Sequence, residues 1–138
     1  MTEQTCHNVF ISHIHKHDEE LHALTDLLKN NGYEIKDASI DSRKPNNTKN
    51  PEYIKAEILA PRIRWAGCFI VLIGKGTSDS EYVAWEIEYA KREGKRIVGV
   101  FVRGATDADI PYALERYGDA LVGWNTDRVM GAVKGEHN

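Results

Sequence analysis

The sequence predicts an α/β fold: a five-stranded parallel sheet of order 2-1-3-4-5 with helices on both faces. Three observations lead there. Strand-like apolar runs alternate with helix-period segments along the whole chain, the pattern of a parallel sheet joined by helical crossovers. The run Cys68-Phe69-Ile70-Val71-Leu72-Ile73 is apolar at every position, as a central strand covered on both faces requires. The 138 residues suffice for one domain that buries about two-thirds of its unfolded surface. One domain over 1–138 is therefore expected, with its core at about 8–133 and a loose tail at 134–138. The 2-1-3-4-5 order is the commonest for such a chain. It puts the switch point between strands one and three, so the loops leaving Ser12 and Ile73 flank a common crevice.

Taken in order, residues 8–12 read as the first strand, ending at the polar cluster His13-Ile14-His15-Lys16-His17-Asp18. Asp18 suits an N-cap or first-turn acid for a helix to residue 29 or 30, whose Leu21, Leu24, Leu27 and Leu28 fall at helical spacing. Asn31-Gly32 supplies the stop. Residues 33–37 form strand two, and 38–50, rich in Ser, Asn, Lys and Asp, a long surface loop of the kind that often carries function. Asn50-Pro51 is a helix start. That helix passes Ile54, Ile58 and Leu59 and meets Pro61, where a kink or break is expected, leaving 62–65 as a last turn or second short helix. Strand three is 68–73, and a Gly-containing loop at 74–79 leads into a helix from Ser80 to about Glu93, closed by Gly94. Val83, Ile87 and Ala90 are its sheet-facing stripe. Strand four is 96–101, a short helix spans 110–117, a weak strand five spans 119–123, and a last helix spans 126–133.

A net charge of −3 without a local basic run argues against a nucleic-acid binder. Only Cys6 and Cys68 occur, which speaks against a disulfide framework and for a reducing compartment. The N-terminal Met-Thr-Glu-Gln-Thr has no signal-peptide character, and no apolar run reaches membrane-span length. A cytoplasmic protein without membrane association is the expectation.

Several constellations are weighed against plainer readings. His13-x-His15-x-His17-Asp18 resembles the His-x-His-x-Asp-His of metallo-β-lactamase-type hydrolases, but its last two residues stand in the wrong order, and a polar loop and helix start is the preferred reading. No metal is expected. A phosphoacceptor receiver domain shares the sheet but needs an Asp ending strand three, where Leu72-Ile73-Gly74 stands. Neither phosphate-binding Gly motif is complete. There is no Gly-x-Ser-x-Gly elbow and no Cys at a helix start with an evident His partner. What survives is Tyr82 with Glu86, an aromatic and a carboxylate four residues apart on one helix that begins at the crevice. The plain alternative is a solvated helix face, with Glu81, Glu88, Lys91 and Arg92 as its solvent residues.

Two stretches carry a family resemblance. Val9-Phe10-Ile11-Ser12-His13, followed by Asp18, resembles the first box of TIR domains. Ser80-Glu81-Tyr82-Val83-Ala84-Trp85-Glu86-Ile87 resembles the Trp-x-x-x-Glu-Ile of enzymatic TIR domains, with Gly94-Lys95-Arg96-Ile97-Val98-Gly99-Val100 matching the strand that follows. The likeness covers roughly 8–124 and is strongest to the short bacterial TIR proteins of Thoeris antiphage systems. It implies a flavodoxin-like (TIR) fold and an NAD+ glycohydrolase or cyclase that breaks the nicotinamide–ribose bond. NAD+ then serves as substrate, and no cofactor is expected. Glu86 matches the family's catalytic glutamate. Tyr82 stands where enzymatic members usually carry Trp. Phe10, Ile11, Ser12 and His13 match the first-strand part of the substrate pocket, and Asp37 and Ser39 match positions at the end of strand two. Trp85 either lines the pocket or serves the core or a partner contact. The resemblance further implies a homo-oligomer on activation with the 38–50 loop at the contact, a product that acts as second messenger on a separate effector protein, and a phage component as candidate trigger. Two rivals stay open: a non-enzymatic TIR-like interaction module, and a nucleoside deoxyribosyltransferase-like enzyme.

Overall fold

In the computed structural model, which describes residues 8–37 and 54–135, the chain forms a five-stranded parallel sheet of order β2-β1-β3-β4-β5. The strands are β1 (Asn8–Ser12), β2 (Glu34–Asp37), β3 (Cys68–Ile73), β4 (Arg96–Phe101) and β5 (Ala120–Val122). The helices are α1 (Asp18–Asn30), α2 (Ala60–Trp65), α3 (Glu81–Arg92), α4 (Tyr112–Tyr117) and α5 (Thr126–Lys134). The expected strand order and parallel pairing are found, and β1 and β3 pair in a register that sets Ser12 beside Val71. Their carboxyl ends therefore open on the same side of the switch point.

Side-chain alternation along the strands divides the core in two. Val9, Ile11, Cys68, Ile70, Leu72, Val98 and Val100 pack under α1 and α5. Phe10, Phe69, Val71, Ile73 and Ile97 pack under α2, α3 and α4, with Phe10 and Phe69 stacked at 5.4 Å between ring centroids. All six β3 residues are buried, so its unbroken apolar run reflects two covered faces.

Differences from the sequence reading lie at element ends. Asp18 is a first-turn acid of α1, one of the two placements expected for it, and a tight turn at His15–His17 that was not expected precedes it. The segment Ile54–Leu59 is a π-helical turn that runs into α2, with Pro61 in α2's first turn. Proline is tolerated there because the N–H it lacks has no helical partner in a first turn. The last helix reaches Lys134, one residue beyond expectation. The 38–50 loop, Ser39 and the Asn50-Pro51 helix start lie outside the described residues. No described helix is long and apolar enough to cross a membrane.

The two loops at the crevice are latched together. The His17 ring is buried, its Nε2 lies 3.1 Å from the Lys75 carbonyl oxygen, and it rests on the backbone of Gly74. A Cβ at Gly74 would meet the His17 ring at 2.5 Å and Val102 at 2.9 Å. Gly74→Ala is expected to cost about 1–3 kcal/mol, the usual range for overpacking. In a double-mutant cycle by chemical denaturation, most of that cost should vanish on a His17→Ala background. An equal cost in both backgrounds would show that the contact does not restrict this position.

Candidate functional site

Glu86 is the chemical centre of the crevice. It sits in the stripe Val83, Glu86, Ile87 and Ala90 that α3 buries against the sheet, and its residue exposure is 1%. The presumed solvent residues Glu81, Glu88, Lys91 and Arg92 are indeed exposed, so the helix does present a solvated face and Glu86 is not on it. α3 is held in place by Ser80, whose side chain caps its first turn by accepting from the Val83 N–H at 3.1 Å. The loop before it is braced by buried Thr77, whose Oγ1 accepts from the Gly74 N–H at 3.0 Å.

The Ser12 hydroxyl donates to Glu86 Oε1 at 2.6 Å, a buried bond that joins the end of β1 to the middle of α3. The other carboxyl oxygen, Oε2, is shielded from solvent and has no hydrogen-bond partner among the described residues. Burial pushes the carboxyl pKa up to about 8, against the opposing pulls of the Ser12 hydrogen bond and the Arg62 guanidinium. Desolvation wins because a carboxylate away from water loses more hydration than one hydroxyl and one cation return. Glu86 is therefore a neutral acid at pH 7.

The other sequence-derived site residues divide by strand parity. Phe10 shares Ser12's face but is fully buried in the α2–α4 core. Ile11 points to the opposite face, under α1 and α5, so its side chain is not brought to Glu86. His13 is buried just past the end of β1, and its Nε2 lies 3.5 Å from Asp18 Oδ1. Asp37 ends β2, next to Ile11 in register. Tyr82 and Trp85 are half-buried and pack on the α2–α4 core. Trp85 stacks on Tyr89 at 5.2 Å, and the Lys55 ammonium lies over both Tyr82 and Trp85, 5.9 and 5.8 Å from the ring centroids. Arg62, Thr77 and His17 were not among the site residues read from sequence. For Arg62 the one available signal is a cation within a short helix otherwise packed on β1 and α3. Among the described residues no three His, Cys, Asp or Glu side chains gather in a metal-binding group.

Comparison with known proteins now bears on this geometry. Residues 10–107 match the family model of the Thoeris protein ThsB, TIR-like domain. The chain belongs to the Thoeris ThsB TIR-like family. No curated protein matches it. Among solved structures it is similar to the CMP N-glycosidase BcmB of Clostridium botulinum, at 18% identity and a TM-score of 0.58, covering 89% of this chain and 98% of that one. It is similar to a 2-deoxyribosyltransferase of Bacillus psychrosaccharolyticus, at 15% identity and a TM-score of 0.67, covering 88% and 89%. It is also similar to the TIR domains of the Roq1 resistosome, at 16% identity and a TM-score of 0.50, covering 70% and 58%. These likenesses establish the fold, and the ThsB TIR-like match sets Ser12 and Glu86 within the family's span.

The raised pKa makes stability depend on pH in a definite direction. The folded state keeps a proton that the unfolded carboxyl releases near its ordinary pKa of 4.5, so stability falls as pH rises from about 4.5 to 8. The full effect is on the order of 5 kcal/mol. Glu86→Gln, which cannot ionise, should unfold at a higher temperature than the native chain at pH 9, with the gap closing toward pH 5. Melting curves across that range test it, and a gap that does not depend on pH would refute the buried acid.

Proposed function

We propose that the chain cleaves the C1′–N bond of NAD+, releasing nicotinamide and passing the ADP-ribosyl group to water, to an internal nucleophile or to a small acceptor. The supporting observation is the buried Glu86 carboxyl at the switch point, fixed by Ser12 through one oxygen and with no hydrogen-bond partner at the other among the described residues. As the C1′–N bond breaks, its electron pair goes to the pyridinium nitrogen and leaves neutral nicotinamide, while positive charge develops on the ribose. A carboxylate fixed beside that charge stabilises it without reorganising. In hydrolysis, water oxygen then bonds C1′ and gives up a proton. A cationic substrate also favours ionisation of Glu86, so the buried acid becomes a carboxylate when substrate binds. Oε2 is closed off from water, so substrate entry requires covering side chains to part.

Membership of the Thoeris family supports a place in antiphage defence. There the product would act as a signal to a separate effector protein, a phage component would be the trigger, and assembly of copies through the 38–50 segment would complete the site. No nucleic-acid or membrane partner belongs to this proposal. The interaction-module rival treats Glu86 as surface decoration, and its 1% exposure argues against that. The likeness to a CMP N-glycosidase over 98% of that chain favours one other substrate reading, a nucleotide or deoxynucleoside cleaved at the same kind of bond. The chemistry asked of Glu86 is the same in both.

Purified protein incubated with NAD+, with and without phage-infected lysate, should release nicotinamide. Glu86→Gln should lower the rate at least a hundredfold, the scale of a lost electrostatic stabiliser. Between pH 6 and 9, kcat/KM should rise with an apparent pKa near 8, the value for the free protein. Ser12→Ala should move that limb to higher pH, because it removes a hydrogen bond that favours the charged form. Undiminished release in Glu86→Gln would remove the assignment, and turnover of CMP or a deoxynucleoside in place of NAD+ would select the second substrate class.

A further inference from the structure

Lys55 lies in the π-helical turn Ile54–Leu59, an irregularity that turns up frequently at functional sites because it re-aims side chains that a regular helix would place elsewhere. Here it sets a half-buried lysine over two aromatic faces at once, Tyr82 and Trp85. These rings flank Glu86 on α3: Trp85 is its neighbour, and Tyr82 stands one turn toward the helix start, about 6 Å along the axis. Arg62 is the cation that bears on the Glu86 carboxyl. Lys55 is placed differently, against the faces of both rings. A sugar whose hydroxyls engage Glu86 carries its 5′-substituent on the same ring, so a ligand that runs from Glu86 toward the start of α3 brings that substituent to Lys55.

We propose that Lys55 is the phosphate contact of the Glu86 site, selecting a 5′-phosphorylated riboside or a dinucleotide over the bare nucleoside. This rests on the N-glycosidic reading above and adds the specificity-determining residue. An ammonium partly covered by aromatic faces meets a phosphate with less water to displace, and a charge-assisted hydrogen bond there contributes more than at an open surface. The plain alternative is a lysine stem covering aromatic surface with its charge in solvent.

The test compares NAD+, nicotinamide mononucleotide and nicotinamide riboside as substrates of the native chain, Lys55→Met and Lys55→Arg. Methionine keeps the apolar stem on the rings and arginine keeps the charge, and melting curves verify that both variants fold. The native chain should prefer the mononucleotide over the riboside in kcat/KM by about 10–100-fold, the range of a hydrogen bond to a charged group. Lys55→Met should bring that ratio to about one, and Lys55→Arg should retain most of it. A ratio unchanged in Lys55→Met overturns the proposal and leaves the glycosidic reading intact. ADP-ribose binding, followed by tryptophan fluorescence with Trp85→Phe as the control, separates the two claims. Binding that is lost in Lys55→Met without any nicotinamide release would keep the Lys55 contact and remove NAD+ cleavage. No ADP-ribose binding by the native chain, or equal binding of adenosine, overturns the proposal.

Discussion

The structure depends on one buried hydrogen bond, from Ser12 at the carboxyl end of β1 to Glu86 in the middle of α3. It spans the switch point of the sheet and ties the end of β1 to the helix that joins β3 to β4. Its cost is the exclusion of a carboxyl from water, visible in the pKa raised to about 8. A leucine in that stripe would pack without this penalty. A glutamate there is a local conflict between helix patterning and burial, and such conflicts are expected at functional sites.

The surroundings of Glu86 are arranged to hold it still. Ser80 caps the helix that carries it, Thr77 braces the approach loop, and the His17 ring rests on Gly74 to bind the β1 and β3 loops to each other. Each group sits within a turn or two of the crevice and makes a contact that only a small range of side chains would permit. The carboxyl is thereby pre-set before any ligand arrives, which is where electrostatic stabilisation draws its advantage over water. Arg62 biases the same carboxyl toward ionisation without prevailing over burial. That balance lets an incoming positive charge tip it.

The two face clusters explain why the first-strand residues do not act as a group. Ser12 and Phe10 share a face and Ile11 takes the other, and of these Ser12 reaches Glu86, through a hydrogen bond of 2.6 Å. A resemblance along a strand transfers positions in a row, whereas a strand delivers side chains to alternate sides. The same parity was available in the sequence, since Phe10 and Ser12 differ by two. The Glu86 burial was also legible there: positions 83, 86, 87 and 90 form one helical stripe, and a carboxylate within it is the anomaly. Pairing Glu86 with Tyr82 at four-residue spacing drew attention to the right helix but to the rim of the stripe.

Local patterning specified the kind of each element along the chain, the covered status of β3, and the helix that carries Glu86 with the stripe it turns inward, whereas the sheet order was expected only as the commonest for such a chain. The local features follow from periodicity, capping and stop residues, which act over a few neighbours and so are written locally. Long-range packing supplied the rest: that Ser12 meets Glu86 across 74 positions of chain, that Arg62 bears on that carboxyl, and that Lys55 covers two rings. Contacts between distant segments depend on how far each element turns before it packs. Lys55 lies in the π-helical turn that runs into α2 and Arg62 in α2 itself, and that turn has no signature that periodicity can read.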